Sequence, residues 1–224
     1  KNLNFKFEDI SYEQNKFEYY LQQVLQMEAV ASKDWLTNKV DRSVTGKVAT
    51  QQTVGELQLP LNNLGVMALD YQGLKGVATS IGHAPSVGLI DAAAGSVLSV
   101  SEALLNLVWA DLEGSLAGVS LSANWMWPAK NPGENARLYH AVKAISDFAV
   151  ELGINIPTGK DSLSMKQQYK KDVVYSPGTV IVSTVGEVND IGKTVDPVIK
   201  AVENTCLLYI DFSKGKFELG GSTF

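Results

Sequence analysis

Apolar residues recur along this chain at two spacings, and the spacing changes mark the elements. Phe17, Tyr20, Leu21, Val24 and Leu25 repeat at helical intervals, which predicts a helix over 15–27 with Ser11 as its N-cap. Leu3, Phe5 and Phe7 alternate ahead of it as a short strand, and a short helix is expected over 32–38. The Gly- and Gln-bearing stretch 41–58 carries strand fragments only. Two β-rich runs, 64–69 and 74–81, flank Asp70-Tyr71-Gln72-Gly73 and read as a hairpin. Asp91 then caps a long helix reaching about Ala110. A strand follows over 119–124, and a second long helix over 133–152 is ended by Gly153. Strands are expected near 162–168 and over 179–188. The polar, Pro-bearing stretch 189–204 reads as a domain junction, and 205–212 as the opening strand of another domain. Hairpins followed by long helices over one sheet face make this an α+β (mixed α/β) fold.

Composition narrows the class. With 45% hydrophobic and 19% charged residues in 224, the chain is an ordinary globular one, long enough for one large domain or one domain plus part of a second. A net charge of -5 argues against a nucleic-acid surface. Gly, Ser, Asp and Asn break the apolar runs well short of the ~18 residues a membrane helix needs. Residues 1–12 lack the apolar core of a signal peptide. Cys206 is the single cysteine, so no internal disulfide can form, and a reducing, cytoplasmic setting is expected. The absence of Met at Lys1, and an end just past the Gly220-Gly221-Ser222 turn, lead us to expect an internal segment of a longer protein.

Several polar groups could carry chemistry. Glu102 and Asn106 stand four apart on the long helix, sharing one face amid Val97, Leu98, Val100, Leu104, Leu105 and Val108. Both offer oxygen ligands of the kind Mg²⁺ prefers, but on spacing alone a solvated stripe on an amphipathic helix is the better account. Asn62-Asn63 is either a turn before a strand or a pair of amides beside a nucleotide or metal. Gly159-Lys160-Asp161-Ser162 fails the phosphate-loop pattern, because Ile154 stands where its first Gly belongs and Asp161 where Ser or Thr belongs. What remains is a Gly-led polar turn, able to present N–H groups to an anion or to be a turn and no more. Asp41-Arg42-Ser43-Val44-Thr45-Gly46 is dense in charge and hydroxyls, and a local Asp–Arg pair ordering a loop accounts for it. Trp125 and Trp127 suit a core or an interface, and Glu134 suits a positive helix terminus. His83 and His140 lack metal-ligand spacing, and Cys206, in an apolar strand, makes a poor nucleophile.

The order of these segments is more specific than any one of them. Asp41 to Gly46, Val54-Gly55 to Pro60, Glu102-Ala103-Leu104-Leu105-Asn106, Ser122-Ala123-Asn124-Trp125-Met126, Pro132-Gly133-Glu134 and Gly159-Lys160-Asp161-Ser162-Leu163-Ser164-Met165 together resemble the large, single-chain phosphoribosylformylglycinamidine synthases. The match runs from about Phe7 to Gly220. The resemblance implies a ligase of purine biosynthesis and a glutamine amidotransferase. It would convert formylglycinamide ribonucleotide, glutamine and ATP to formylglycinamidine ribonucleotide.

The family's core is an internally duplicated fold similar to aminoimidazole ribonucleotide synthetase. On that resemblance, 1–28 is a linker with a docking strand and helix, and 29–190 is the N-terminal subdomain of the second copy. Residues 191–204 connect it to the first strand, 205–224, of the C-terminal subdomain. The second copy holds an auxiliary Mg²⁺–ATP/ADP site and scaffolds the catalytic half, so catalytic residues are expected elsewhere. Glu102, Asn106 and Asn63 fall on metal-ligand positions, with Asn63 where Asp is usual. Asn62 falls on a nucleotide contact and Lys33 on a phosphate-facing lysine. A cation would let Glu102 be buried. Partners implied are the enzyme's remaining domains, including the glutaminase, and a second copy through the hairpin strands. The alternative is a non-catalytic structural domain whose nucleotide site has decayed, as Asn63 hints; a complete synthetase or kinase is disfavoured by the truncated second subdomain and the failed phosphate loop.

Overall fold

This computed structural model describes residues 11–37, 42–43, 46–200, 202–216 and 222–223, and groups of helices and strands alternate along it. They are α1 (Phe17–Gln26), α2 (Asp34–Thr37), β1 (Val48–Thr50), β2 (Leu64–Ala68), β3 (Gly76–His83), α3 (Pro85–Ile90) and α4 (Ala92–Leu107). After them come β4 (Val119–Met126), α5 (Glu134–Leu152), β5 (Asn155–Ser162), β6 (Lys166–Gln168), β7 (Val173–Tyr175) and β8 (Thr179–Val188). Six strands form one sheet in the order β1-β2-β3-β8-β4-β5; β6 and β7 pair separately. Neighbours are antiparallel except β4 and β5, which α5 joins as a parallel crossover.

Alternation decides which face is covered. Val66, Ala78, Val180, Val182 and Val188 point into the core, where they meet Val100, Ala103, Leu104 and Leu107 of α4 and Ile145 of α5. The residues between them, such as Ile81 at 56% and Val185 at 43% exposure, line the open face. The expected hairpin forms, with Leu64 opposite Ser80 and Ala68 opposite Gly76. Asp91 caps α4 by accepting from the Ala93 and Ala94 amides, and Gly153 ends α5 in the left-handed conformation at φ +68.

Other expectations are corrected. Ser11 caps nothing: a 3-10 turn, Gln14–Lys16, leads into α1. The strand expected near 162–168 is divided: Ser162 ends β5, which lies mostly upstream, and β6 takes 166–168. In β5 the largely polar run 155–162 has no apolar alternation; its ladder to β4, Thr158 opposite Ser122 and Ser162 opposite Met126, makes it a strand, with Ile156 packed on the core. Short α3, between His83 and Asp91, has no periodicity to announce it. Residues 205–212 form no strand; Leu207, Leu208, Tyr209, Ile210 and Phe212 stand exposed because no neighbour among the described residues completes a ladder. The strand expected around Leu3 to Phe7, and Asp41, Val44, Thr45, Gly220 and Gly221 of the motifs, lie outside the described residues.

Candidate functional site

β3 runs past the end of β2, and that overhang creates the site. Pairing with β2 stops at Ser80, so the next residues of β3 lack a partner on that edge. Side chains of α4 supply one: Glu102 Oε2 accepts the His83 N–H at 2.6 Å, and Asn106 Nδ2 donates to the Ile81 carbonyl at 3.2 Å. Gly82 allows the approach. A Cβ there would overlap the Ser99 carbonyl oxygen and the Ala103 backbone nitrogen, so only glycine lets α4 lie this close to the strand.

Both side chains therefore do structural work and keep oxygens to spare. The second Glu102 oxygen and Asn106 Oδ1 remain beside a cavity of about 640 Å³ that also takes in Asn62, Asn63, His83 and Arg42. A smaller recess of about 380 Å³ touches His83, Glu102 and Asn106 as well. Glu102 is exposed rather than buried, so the expected need for a cation to offset its burial does not arise: bound to one N–H, it is otherwise met by solvent.

The paired asparagines divide their tasks. Asn62 is buried, donating to the Gln51 and Leu64 carbonyls at 2.9 and 2.8 Å and accepting from Leu64 N at 3.2 Å. Its carboxamide ties the 51–52 segment to the start of β2 and so builds the cavity wall. Asn63 is exposed at the cavity, and its carboxamide makes no hydrogen bond among the described residues. Lys33 is not among the residues lining the cavity; its ammonium donates to the Glu28 and Ala31 carbonyls at 2.5 and 2.8 Å.

Glu102, Asn106 and Asn63 thus come together, with Asn62 as their frame. Their donor set, oxygens alone with one carboxylate, is of the kind Mg²⁺ takes. No cluster of three or more His, Cys, Asp or Glu suited to a metal exists among the described residues, so no richer competing site arises there. Arg42, read from the sequence as ordering a loop, and His83, read as lacking metal-ligand spacing, also line the cavity. The charge density of the Asp41–Gly46 motif was the available signal for Arg42; nothing local distinguished His83.

None of the remaining motif residues lines the cavity. Gly159 to Ser162 is no turn: it lies inside β5, its backbone laddered to β4, so it presents no anion-binding loop. Trp127 is 1% exposed, donates its indole N–H to the Glu134 carbonyl at 3.0 Å and lies under the Arg137 guanidinium at 5.4 Å. Arg137 in turn grips both Glu134 carboxylate oxygens at 2.7 and 2.8 Å within α5, while the two Trp127 contacts fasten the start of that helix to the end of β4. Cys206 is exposed and outside any strand.

Comparison with known proteins places this geometry among relatives. The model of the FGAR-AT PurM_N-like domain matches residues 32–187. The chain is 47% identical over 203 residues to an Arabidopsis thaliana protein called probable phosphoribosylformylglycinamidine synthase, chloroplastic/mitochondrial, covering 90% of this chain and 14% of that protein. Identity to the Homo sapiens phosphoribosylformylglycinamidine synthase is 46%, covering 90% of this chain and 15% of the relative. The chain therefore spans about a seventh of the curated relatives it matches. Among solved structures, PurLQS from Thermotoga maritima superposes with a TM-score of 0.56 at 16% identity, and T. maritima PurL complexed with ADP with 0.55 at 16%; each covers 88% of this chain and 29% of the other. At that identity the likeness establishes the fold.

Proposed function

The chain belongs to the FGAR-AT PurM_N-like domain family, and we propose from that membership that it works as one part of a phosphoribosylformylglycinamidine synthase. The reaction is the ATP- and glutamine-dependent conversion of formylglycinamide ribonucleotide to formylglycinamidine ribonucleotide. This part holds an auxiliary Mg²⁺–nucleotide, ATP or ADP, and scaffolds the catalytic half in the cytoplasm; on its own it is inactive.

One observation carries the reading: Glu102 and Asn106 of α4 converge with Asn63, distant from them in sequence, on one cavity of about 640 Å³, and the helix pair keeps oxygens to spare after its bonds to β3. Mg²⁺ there would be held by one carboxylate, two carboxamides and the phosphates, and would supply charge neutralisation. Asn62 would act from the wall. Lys33 would reach a phosphate only by releasing the two carbonyls it now holds. The same constraint supports the second reading, a structural domain with a decayed site, since groups engaged with the backbone are lost to a ligand.

Titration calorimetry of the chain with ADP, with and without Mg²⁺, separates the two. The proposal expects Mg²⁺-dependent binding that Glu102→Ala abolishes. Binding that ignores both Mg²⁺ and the mutation would sink it.

A further inference from the structure

Arg42 is held at the wall of the same cavity by neutral oxygens alone. Its Nε donates to Gln51 Oε1 at 3.3 Å, and its Nη2 to Thr53 Oγ1 at 2.8 Å and Gln58 Oε1 at 2.9 Å. Those bonds take three of the five guanidinium donors. The two N–H groups on Nη1 have no acceptor, and the cation has no carboxylate partner, among the described residues. A half-buried cation without a counter-charge is unfavourable unless an anion reaches it.

The surroundings hold the fork in place. Thr53 is 3% exposed and donates to Gln58 Oε1 at 3.2 Å, and Gln58 Nε2 donates to the Gly55 carbonyl at 2.9 Å. Gln58 adopts φ +49, a left-handed conformation that non-glycine residues rarely take, within a turn closed by the Val54–Leu59 bridge. A strained turn thus aims neutral acceptors at one edge of the guanidinium and leaves the other edge open. Arg42 also bounds an adjoining recess of about 430 Å³ with Ser43, Gly46 and Gln51, which gives room for a tetrahedral anion.

We infer that Arg42 recognises the polyphosphate of the bound nucleotide, its Nη1 edge donating to phosphate oxygens while the metal is held from α4. The inference rests on the nucleotide reading of the cavity. It orients that ligand, with the phosphates lying between Arg42 and Glu102.

The test uses the whole chain with Mg²⁺, with inorganic pyrophosphate and ADP as separate calorimetric probes, and Arg42→Gln and Arg42→Lys as variants. Arg42→Gln should weaken both probes about tenfold or more, the loss expected when a charge-assisted hydrogen bond goes. Arg42→Lys should recover part of that, since the charge returns without the fork. A tether of the 53–58 turn alone would gain nothing from lysine, and that result overturns the assignment. ADP binding that needs Glu102 but ignores Arg42→Gln also overturns it, leaving the nucleotide reading intact. Arg42-dependent pyrophosphate binding without ADP binding supports Arg42 and sinks the nucleotide reading. Silence from both probes overturns both. Should Arg42→Gln fail to fold, Arg42→Lys carries the test: weaker pyrophosphate binding is expected, and unchanged affinity overturns the assignment.

Discussion

At Gly82 one hydrogen atom decides the distance between β3 and α4. Any side chain there would push the Ser99 and Ala103 backbone away and part Glu102 from the His83 amide. Gly82→Ala should therefore destabilise the fold by about 2 kcal/mol or more, within the range of overpacked cores, and eliminate the Mg²⁺–ADP binding proposed above. Denaturant unfolding beside calorimetry checks both; unchanged stability would mean that α4 is free to shift. Glu102 and Asn106 were legible as a pair because helical periodicity puts i and i+4 on one face. Their exposure and their bonds to β3 were not, since neither follows from α4 alone. Asn63 and Asn62 were legible as neighbours, but which one builds the wall and which faces the cavity depends on where β2 begins.

Elements follow the same division. The hairpin turn contained its own instructions: Asp70 Oδ1 accepts from the Gly73 and Gln72 amides at 2.5 and 2.8 Å, a side-chain turn formed within four residues. Those bonds, the one to Gly73 foremost, hold the Asp70 carboxyl below the usual carboxylate range. A depressed value places the stabilisation above the ordinary pKa of 3.8, and it is lost as pH falls through the lowered value. The Gln72 and Gly73 amide resonances should accordingly titrate below that ordinary value and become insensitive to pH in Asp70→Asn. A midpoint at the ordinary value would contradict the turn geometry. β5 carried no such instructions. Apart from Ile156 and Pro157 its residues are polar or glycine, and the parallel register with β4, set by the α5 crossover, makes them a strand.

For the whole molecule, the sheet's uncovered face matters most. Ile81 and Val185 are exposed there, with Val77 and Thr79 half-exposed between them. We propose that the isolated chain self-associates through this face. Light scattering should give twice the protomer mass of 24.2 kDa, and Val185→Lys should return it to the protomer value. A protomer mass for the unmodified chain at high concentration would count against the idea.

Sequence by itself determined what depends on neighbours within a turn or two: the hairpin, the capped α4, the glycine end of α5, and the ordered motifs that mark the family. Tertiary structure alone decided what depends on distant partners. It placed β8 between β3 and β4, made a strand of residues 155–162, left 205–212 without one, and set Arg42 at the wall of the cavity it shares with Glu102. The physical reason is reach: caps, turns and helical faces are satisfied locally, whereas a ladder or a cavity wall needs groups that meet only when the chain has folded.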